Sequence, residues 1–391
     1  MPREKEEGGT AVLDPPAERP LGAVVGREKR PLTSATPRLQ PVRQQVAKDT
    51  LRACAINGAG DIGRNILRYI AEQERDGRRV PPVTHIAEEF LTRDQIFDLL
   101  VNDPVRGRIV GVSAQKVGTD RIRIGQQEIV VLHGGVTNII DWGRLEVWGV
   151  FEATGQRVDG AKAEEHISEG GGKKVLITAP AKGEMPVKSL VVGFNEEEYQ
   201  PEMHHVVENA SCTTKSALHP LNALLHEVRI ESVTLTTIHA DTGPERRALI
   251  ANRGRIEDFS KCGFRQESTG ASKALQNLLP ALEKKLNAFS YRVPVTDGSV
   301  SEIVVELGEP RSEDSVAQVL RDAQRQRIMQ FLEGAVVTNS SELIGNPHDA
   351  VIFGGNLRAD GRLVHISSGY DNAYAPAAAA VDLMKYMAAR K

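Results

Sequence analysis

Between residue 51 and about residue 210, apolar residues alternate between short continuous runs and helical spacing. The runs Ala53–Ile56 and Val83–Ala87 predict two strands, and the spacing after each predicts helices near 62–70 and 96–100. Further apolar runs predict strands at Ile109–Val112, Ile122–Ile124, Ile129–Leu132, Val147–Phe151, Val175–Thr178, Leu190–Val192 and His205–Val207. Strands that alternate with helices indicate a mainly parallel sheet covered on both faces.

The second half of the chain has longer strands in which apolar and polar residues alternate. That alternation favours an antiparallel sheet with one face packed on helices. The predicted strands are Val233–His239, Tyr291–Val293, Ser299–Leu307 and Leu363–Ser367. The predicted helices are Thr213–Glu227, Thr269–Leu286, Ser315–Arg325 and a terminal helix around Val381–Met387.

Residues 1–49 show neither helical nor strand periodicity and are rich in Pro, Arg and Glu. Such a segment buries too little apolar surface to offset its ordering entropy, so we expect a disordered N-terminal extension. The acids Glu4, Glu6 and Glu7 argue against a transit peptide, and the lack of an apolar stretch argues against a signal peptide.

Composition narrows the class of protein. The 391 residues suffice for two domains, and the net charge of -3 favours neither nucleic acid nor an anionic membrane as partner. No apolar stretch has the length of a membrane helix. Three cysteines are too few for a disulfide scaffold, which favours a cytoplasmic location and makes each cysteine a potential nucleophile.

A glycine-rich turn stands between the first predicted strand and its helix, where Gly58, Gly60 and Gly63 fit the pattern of a dinucleotide-binding turn. In that pattern the first glycine permits the turn, the second lets the backbone approach a pyrophosphate, and the third lets helix pack on strand. Glu88 ends the next strand, where a carboxylate accepts hydrogen bonds from ribose hydroxyls and repels a 2′-phosphate. This favours NAD over NADP. Asp61 is unfavourable beside a pyrophosphate unless it meets a cation or solvent.

Cys212 lies where a strand gives way to a helix, and His239 closes another strand. A helix N-terminus and a neighbouring imidazole both lower the pKa of a thiol, which favours a catalytic nucleophile. The residues alone equally allow Cys212 to be a buried core residue beside an N-cap. An isolated histidine at a strand end is more often structural than catalytic.

Several blocks occurring in order resemble the glyceraldehyde-3-phosphate dehydrogenase family from about residue 51 to the end of the chain. They are the Asn57–Arg64 turn, Ala-Ser-Cys-Thr-Thr at 210–214, Thr-x-His-Ala at 237–240, Ser-Thr-Gly-Ala-x-Lys-Ala at 268–274, Arg-Val-Pro at 292–294 and Tyr-Asp-Asn-x-Tyr at 370–374. The resemblance implies an α/β Rossmann-type domain at 50–211, completed by a terminal helix at 371–391. It implies an α+β catalytic domain with a mainly antiparallel sheet at 212–370.

The resemblance also implies roles for individual residues. Cys212 matches the nucleophile that forms a thioester, and His239 matches its base. Ser211, Thr213, Thr269 and Gly270 match the site for inorganic phosphate, and Thr242 and Arg292 match the site for the substrate phosphate. The matches to cofactor contacts are Asn57, Gly58, Gly60, Asp61, Ile62, Glu88, Thr154, Thr178 and Asn372. No metal is implied, and the family is typically a homotetramer.

The expected activity is NAD-dependent phosphorylating oxidation of glyceraldehyde 3-phosphate or a related phospho-aldehyde such as erythrose 4-phosphate. Departures from the family pattern are Asp61, Lys215, Pro244, Glu245, Gly369, Ala373, Pro376 and an atypical stretch at 246–265. They motivate an alternative, a catalytically weakened homologue that acts as a binding or regulatory protein. An aspartate-semialdehyde-type dehydrogenase shares the fold plan, but the phosphate-site residues disfavour it.

Overall fold

A computed structural model describes residues 52–242 and 263–390. Its first sheet has nine strands in the order β10-β11-β9-β8-β1-β2-β7-β6-β5. The strands from β10 to β7 run parallel, and β6 and β5 add an antiparallel edge. The bounds are β1 Cys54–Asn57, β2 Val83–Glu88, β5 Ala114–Val117, β6 Arg121–Ile124, β7 Gln127–His133, β8 Gly149–Glu152, β9 Lys174–Ile177, β10 Lys188–Ser189 and β11 Val206–Glu208. A small hairpin, β3 Asn102–Asp103 and β4 Gly107–Arg108, stands apart from it.

Helices cover this first sheet. They are α1 Asp61–Arg75, α2 Arg93–Val101, α3 Gly160–Ser168 and the terminal α7 Tyr374–Ala388. Strands β1, β2, β8 and β9 are buried along their whole length, as parallel strands covered on both faces must be. Helix α7 packs beside α1, where the rings of Tyr69 and Tyr374 meet edge to face at 5.8 Å. The C-terminal helix therefore belongs to the core of the first sheet.

The second sheet has eight strands, seven of them in the order β13-β14-β12-β15-β19-β17-β16, with β18 paired to β19. It is mainly antiparallel, with parallel pairs only at β12–β14 and β16–β17. The bounds are β12 Ile230–Ala240, β13 Arg265–Glu267, β14 Leu286–Val293, β15 Ser299–Leu307, β16 Met329–Leu332, β17 Ala350–Phe353, β18 Arg358–Asp360 and β19 Leu363–Tyr370. Helices α4 Cys212–Glu227, α5 Ala271–Leu278 and α6 Glu313–Asp322 cover one face. These two sheets confirm the predicted fold class.

Three element predictions are wrong. Residues Ile109–Val112 form no strand, because Gly111 takes a φ of +70° that ends extended structure. Leu190–Val192 follows the short strand β10, and the chain turns at Gly193 with a φ of +85°. The helix predicted at Thr269–Leu286 covers only α5 and a short 3₁₀ turn, Pro280–Leu282.

Pro280 explains the short α5. Proline lacks the N–H that an interior helical residue donates, and its ring clashes with the carbonyl four residues earlier. Leu286 then opens β14, which pairs with β12 on one side and β13 on the other. Helix α7 begins at Tyr374, before the Val381 that apolar spacing predicts and close to the 371 that the resemblance implies. The carboxylate of Asp371 accepts the N–H groups of Ala373 and Tyr374 at this start.

Among the residues that the structure describes, no helix is both long and apolar enough to cross a membrane.

Candidate active site

Two neighbouring cavities lie where the two sheets meet, and Asp61 and Thr242 line both. The glycine-turn cavity, about 720 Å³, is bounded by Gly58, Gly60, Glu88 and Thr154. The cysteine cavity, about 420 Å³, brings together many of the predicted residues. They are Asp61, Ile62, Thr178, Ser211, Cys212, Thr213, His239, Thr242, Thr269, Gly270, Arg292 and Asn372.

The glycine turn has the geometry that a dinucleotide-binding turn requires. Gly58 has a φ of +104°, and a Cβ there would stand 2.8 Å from the backbone nitrogen of Thr154. A Cβ at Gly63 would lie 2.0 Å from the carbonyl oxygen of Gly58, so that glycine lets α1 pack on the turn. At Gly60 the atom nearest to an added Cβ would be 3.9 Å away, which leaves room above the first turn of α1. A phosphate fits there, at the positive end of the helix dipole.

Asp61, a departure from the family pattern, meets a cation. Arg64 Nη2 lies 3.0 Å from Asp61 Oδ1, and Arg64 Nη1 donates to the carbonyl of Ala59 at 2.7 Å. The guanidinium therefore offsets the carboxylate at the N-terminus of α1, and the turn can still accept an anion.

Glu88 lies at the wall of the glycine-turn cavity. Its carboxylate accepts hydrogen bonds from the backbone N–H groups of Ala59 at 2.8 Å, Glu89 at 3.0 Å and Phe90 at 2.8 Å. Each carboxylate oxygen can accept more than one bond, so these contacts leave capacity for ribose hydroxyls. Its negative charge at this wall opposes a 2′-phosphate.

Asn57 lines neither cavity. Its Nδ2 donates to Gly135 O at 2.9 Å and to Glu152 Oε2 at 2.7 Å, inside a fully buried network. His166 joins this network 3.0 Å from the same carboxylate oxygen, and its other ring nitrogen accepts from Trp142 Nε1 at 3.0 Å. Asn57 thus links β1 to β8 beneath the glycine turn, and its side chain has a structural role.

Cys212 is the first residue of α4. Ser211 is the N-cap, and its hydroxyl oxygen accepts the N–H of Thr214 at 3.0 Å. Ala210, immediately before, takes a φ of +57°, and its N–H donates to Glu208 at 2.7 Å. This turn between β11 and α4 places the sulfur at the positive end of a helix and at the wall of the cysteine cavity.

His239 faces the sulfur. Its Nε2 lies 3.6 Å from Cys212 Sγ, and its Nδ1 lies 2.7 Å from the carbonyl oxygen of Ala240. The carbonyl of Ala240 only accepts and favours a proton on Nδ1, whereas the Arg292 guanidinium at the same nitrogen only donates and opposes it. With the proton on Nδ1, the lone pair of Nε2 points toward the thiol. The imidazole is thus placed to accept the proton of Cys212.

Burial dominates the electrostatics of this pair. Burial and the nearby Arg292 lower the pKa of His239 to about 4, so the imidazole is neutral at pH 7. Burial also raises the pKa of the Cys212 thiol, and it is Lys215, ahead of Arg292, that opposes this rise. A neutral ring adds no positive charge beside this thiol, and the lowering of its pKa by the neighbouring imidazole stays a prediction.

Arg292 extends from β14 toward His239. Its Nη1 contacts His239 Nδ1 and donates to Ala240 O at 3.0 Å, while its Nε donates to Glu267 Oε2 at 2.9 Å. Thr242 lies beside it at the boundary of the two cavities. The pair can present a cation and a hydroxyl to one anion. Pro244 and Glu245, the departures after Thr242, and Cys262 lie outside the described residues.

The residues matched to inorganic phosphate surround the same cavity, although some hydroxyls have protein partners. The Thr269 hydroxyl oxygen accepts the N–H of Ala271, the first residue of α5, at 3.1 Å. The Thr213 hydroxyl lies 2.9 Å from the hydroxyl of Tyr370. Two helix N-termini, those of α4 and α5, thus converge on the cavity, and such ends favour bound anions.

Asn372 lines the cysteine cavity and is hydrogen-bonded to two residues at the start of β15. Its Oδ1 accepts the Ser299 hydroxyl at 2.8 Å, and its N–H donates to Asp297 at 2.8 Å. This turns Nδ2 toward His239, 3.2 Å from Nε2. Thr178 stands on the opposite wall, with its hydroxyl donating to Glu152 O at 3.0 Å.

Two further departures have a physical explanation. A Cβ at Gly369 would lie 2.7 Å from Leu343 Cδ1 and 2.8 Å from Phe353 Cε2, so those side chains occupy the space of a larger residue. Pro376 stands in the first turn of α7, where its missing N–H is not needed, and it lines the cysteine cavity beside Ala373.

Sequence reasoning missed several residues around the site. Tyr370 lies beneath His239, with ring centroids 6.0 Å apart, and its hydroxyl joins Thr213 to Thr237. Ser299 and Asp297 fix Asn372. Phe90, Leu91, Leu99 and Pro104 line the glycine-turn cavity. Only the Tyr370 motif carried a signal, through its place in the Tyr-Asp-Asn block. Within residues 52–242 and 263–390, no cluster of His, Cys, Asp and Glu is arranged to hold a metal ion.

Comparisons with known proteins match this geometry. The model of the glyceraldehyde 3-phosphate dehydrogenase NAD-binding domain matches residues 52–159, and that of the same family's C-terminal domain matches residues 211–372. Glyceraldehyde-3-phosphate dehydrogenase 2 of Streptomyces arenae is 33% identical over 341 residues, which cover 84% of this chain and 96% of the relative. The Chlamydia muridarum enzyme is 32% identical, with 85% and 97% covered, and the Streptomyces coelicolor enzyme is 34% identical, with 85% and 97% covered.

Proposed function

Because the chain belongs to the glyceraldehyde-3-phosphate dehydrogenase family, we propose that it oxidises glyceraldehyde 3-phosphate to an acyl phosphate through a thioester on Cys212. The chain is an NAD-dependent oxidoreductase that acts on an aldehyde group. The observation that carries the proposal is the contact of 3.6 Å between Cys212 Sγ and the neutral His239 Nε2, at the N-terminus of α4. Erythrose 4-phosphate is the nearest alternative substrate.

The residues of the glycine-turn cavity fit NAD. Gly58 and Gly60 leave the backbone bare at the start of α1, Glu88 offers a carboxylate to the ribose, and the side chain of Asn372 is held toward the cysteine cavity. Asp61, Ile62, Thr154 and Thr178 complete this proposed set. When bound, NAD supplies the acceptor for the hydride that the aldehyde carbon loses.

His239 carries out the proton transfers of the proposed reaction. It accepts the thiol proton as Cys212 Sγ bonds to the aldehyde carbon, and it returns that proton to the new oxyanion. When the carbon loses hydride, His239 takes the hydroxyl proton, and the carbonyl of the thioester forms. The bond from Nδ1 to Ala240 O holds the ring in the orientation that both transfers need.

Two anion sites complete the reaction. Arg292 and Thr242 bind the substrate phosphate, because a guanidinium gives charge-assisted bonds that a neutral residue lacks. Ser211, Thr213, Thr269 and Gly270 place inorganic phosphate at the N-termini of α4 and α5. A phosphate oxygen then attacks the thioester carbon, the carbon–sulfur bond breaks, and Cys212 leaves as thiolate.

The experiment follows NADH absorbance with purified chain, glyceraldehyde 3-phosphate, NAD and phosphate. We expect NADH formation that requires phosphate and is lost in Cys212→Ala, with Cys54→Ala as the matched control, since Cys54 is buried in β1 and lines neither of the two cavities. Erythrose 4-phosphate run in parallel settles substrate preference by the ratio of kcat/KM. Turnover that does not change when phosphate is omitted would contradict the phosphorylating reaction.

We also propose a homo-oligomer in the cytoplasm, with a dinucleotide-binding part at 50–211, completed by 371–391, and a catalytic part at 212–370. The open face of the second sheet supports the oligomer. Ile238, Phe289 and Val304 are each about two-fifths exposed there, and the cross-strand register places all three on one face. Apolar side chains that share an exposed sheet face are typical of a subunit interface.

A further inference from the structure

The guanidinium of Arg292, which the proposed function assigns to the substrate phosphate, already has an anionic partner. Its Nε donates to Glu267 Oε2 at 2.9 Å. Its Nη1 donates to Ala240 O at 3.0 Å and contacts His239 Nδ1. A phosphate that approaches the Nε edge of this guanidinium therefore meets a carboxylate that is already bound there.

Strand pairing places this carboxylate. Strand β13 runs antiparallel to β14, with Arg265 opposite Arg292 and Glu267 opposite Ser290. Residues directly opposite each other on antiparallel strands point to the same face, as do residues two apart on one strand. Ser290 and Arg292 both line the cysteine cavity. The register thus fixes Glu267 on the side of the sheet that faces this cavity.

The charges around Arg292 form a row with no formal net charge. Arg265 Nη2 lies 2.8 Å from Asp241 Oδ1, and its Nε lies 4.0 Å from Glu267 Oε1. Two guanidiniums and two carboxylates therefore alternate in the order Asp241, Arg265, Glu267 and Arg292. A phosphate dianion meets this neutral row, and not an unpaired cation.

The ion pair between Glu267 and Arg292 can open. Their side chains are 42% and 21% exposed, so water can hydrate the carboxylate once it leaves the guanidinium. An ion pair at this level of exposure contributes little free energy, which lets a phosphate displace the carboxylate. The displacement still weakens phosphate binding, whereas an aldehyde without a phosphate does not have to break the pair.

We propose that Glu267 is a specificity-determining residue that competes with the substrate phosphate for Arg292. Its carboxylate reduces the preference of the enzyme for phosphorylated over phosphate-free hydroxyaldehydes. This inference rests on the proposed function, which places the substrate phosphate at Arg292.

The first test compares two substrates in the parent and in Glu267→Gln, which keeps the size of the side chain and removes its charge. The quantity is the ratio of kcat/KM for glyceraldehyde 3-phosphate to kcat/KM for glyceraldehyde. We expect this ratio to rise about twofold to fivefold in the variant, the scale of an exposed ion pair. The rise should shrink at high ionic strength, because salt screens exposed charges.

The second test measures phosphate binding without turnover. Glycerol 3-phosphate carries the phosphate but no aldehyde, and calorimetry gives its Kd for the parent and for Glu267→Gln. We expect the Kd to fall by the same factor in the variant. Glu309→Gln is the matched control, because Glu309 is an exposed glutamate paired with Arg311 at 2.6 Å and lines neither cavity. It should change neither the ratio nor the Kd.

An equal ratio and an equal Kd in the parent and in Glu267→Gln would overturn the inference, as would the absence of glycerol 3-phosphate binding by both. An equal gain in Glu309→Gln, or a gain that salt does not reduce, would overturn it as well. Calorimetry needs neither NAD nor an aldehyde. A chain that forms no NADH but binds glycerol 3-phosphate more tightly after Glu267→Gln would contradict the proposed function and support the competition for Arg292.

Discussion

At the scale of single residues, the state of His239 decides how the pH dependence of the enzyme should look. A base whose pKa is lowered in the fold stays neutral until the pH falls toward that value, here about 4. Between pH 5 and pH 8 the fraction of neutral imidazole hardly changes, so any limb of the rate profile in this range belongs to a group other than His239.

His239→Gln should therefore lower kcat by about 10²- to 10⁴-fold without moving the midpoint of that limb. Gln keeps a polar side chain of similar size but accepts no proton. The measurement is kcat against pH for the parent and the variant, with NAD binding by fluorescence as a check on the fold. A limb that shifts when His239 is removed would mean that the imidazole titrates within it.

The glycine turn tolerates the carboxylate of Asp61 because Arg64 forms an ion pair with it, with 3.0 Å between Arg64 Nη2 and Asp61 Oδ1. Arg64→Met should leave Asp61 uncompensated at the N-terminus of α1 and weaken NAD binding by about tenfold, the scale of a charge at a helix end. Arg64→Met/Asp61→Asn should recover most of that loss. Titration of NAD by calorimetry tests this, and equal weakening in the single and double variants would refute the compensation.

At the scale of elements, the sequence predicts the bounds of a strand or helix well where the local apolar pattern and the tertiary pairing favour the same structure. Strand β15 has the predicted bounds Ser299–Leu307, because both its alternation and its two antiparallel neighbours favour the same register. The long helix predicted from Thr269 to Leu286 is wrong. It is predicted because leucines keep helical spacing beyond Pro280, but the residues from Leu286 onward form a strand that pairs with β12 and β13.

The residues of the site likewise divide into those that local sequence predicts and those that depend on tertiary contacts. Cys212 and His239 could be proposed from local motifs, each at the end of an element. The role of Tyr370 could not, because its hydroxyl meets Thr213 across 157 positions of sequence. The buried pair of Lys215 and Asp349 is similarly invisible along the chain, since it depends on α4 packing against the start of β17.

Gly369 in β19 offers a test of packing at this scale. A methyl group there would stand 2.7 Å from Leu343 Cδ1, so Gly369→Ala should lower the free energy of unfolding by about 1–3 kcal/mol. Gly263→Ala is the control, because a Cβ at Gly263 would meet nothing within 4 Å. Chemical denaturation of both variants decides the matter, and equal stability would mean that β19 has room for a larger residue.

At the scale of the molecule, Arg106 ties the β3–β4 hairpin to the residues around Asn372. Its side chain is 3% exposed, contacts Asp297 and lies 2.5 Å from Asp371 Oδ1. Asp297 also accepts the N–H of Asn372 at 2.8 Å. One guanidinium thus links the β3–β4 hairpin to the end of the second sheet, at the position proposed to hold the nicotinamide.

Removing that guanidinium leaves two buried carboxylates without their cation. Arg106→Met should therefore lower the free energy of unfolding by about 3–5 kcal/mol, the cost of breaking a buried ion pair. Arg108→Met, at an exposed position of the same hairpin, should change it by less than about 0.5 kcal/mol. Similar losses in both variants would show that the hairpin, and not the buried contact, determines stability.

The open face of the second sheet predicts the behaviour of the whole assembly. Ile238→Lys/Phe289→Glu should reduce the molar mass measured by light scattering, because charges would replace apolar contacts between subunits. Val110→Lys, at a position that is 74% exposed and outside both sheets, should leave the mass unchanged. A parent chain that is already monomeric would contradict the proposed oligomer.

The central claim is covalent catalysis by Cys212, and trapping the acyl-enzyme tests it most directly. The parent chain is mixed with glyceraldehyde 3-phosphate and NAD without phosphate, quenched in acid, and digested for mass spectrometry. The account predicts an acyl adduct on the Cys212 peptide that disappears when phosphate is added before the quench. NADH formed in the burst without any adduct on Cys212, or an adduct that persists in phosphate, would contradict it.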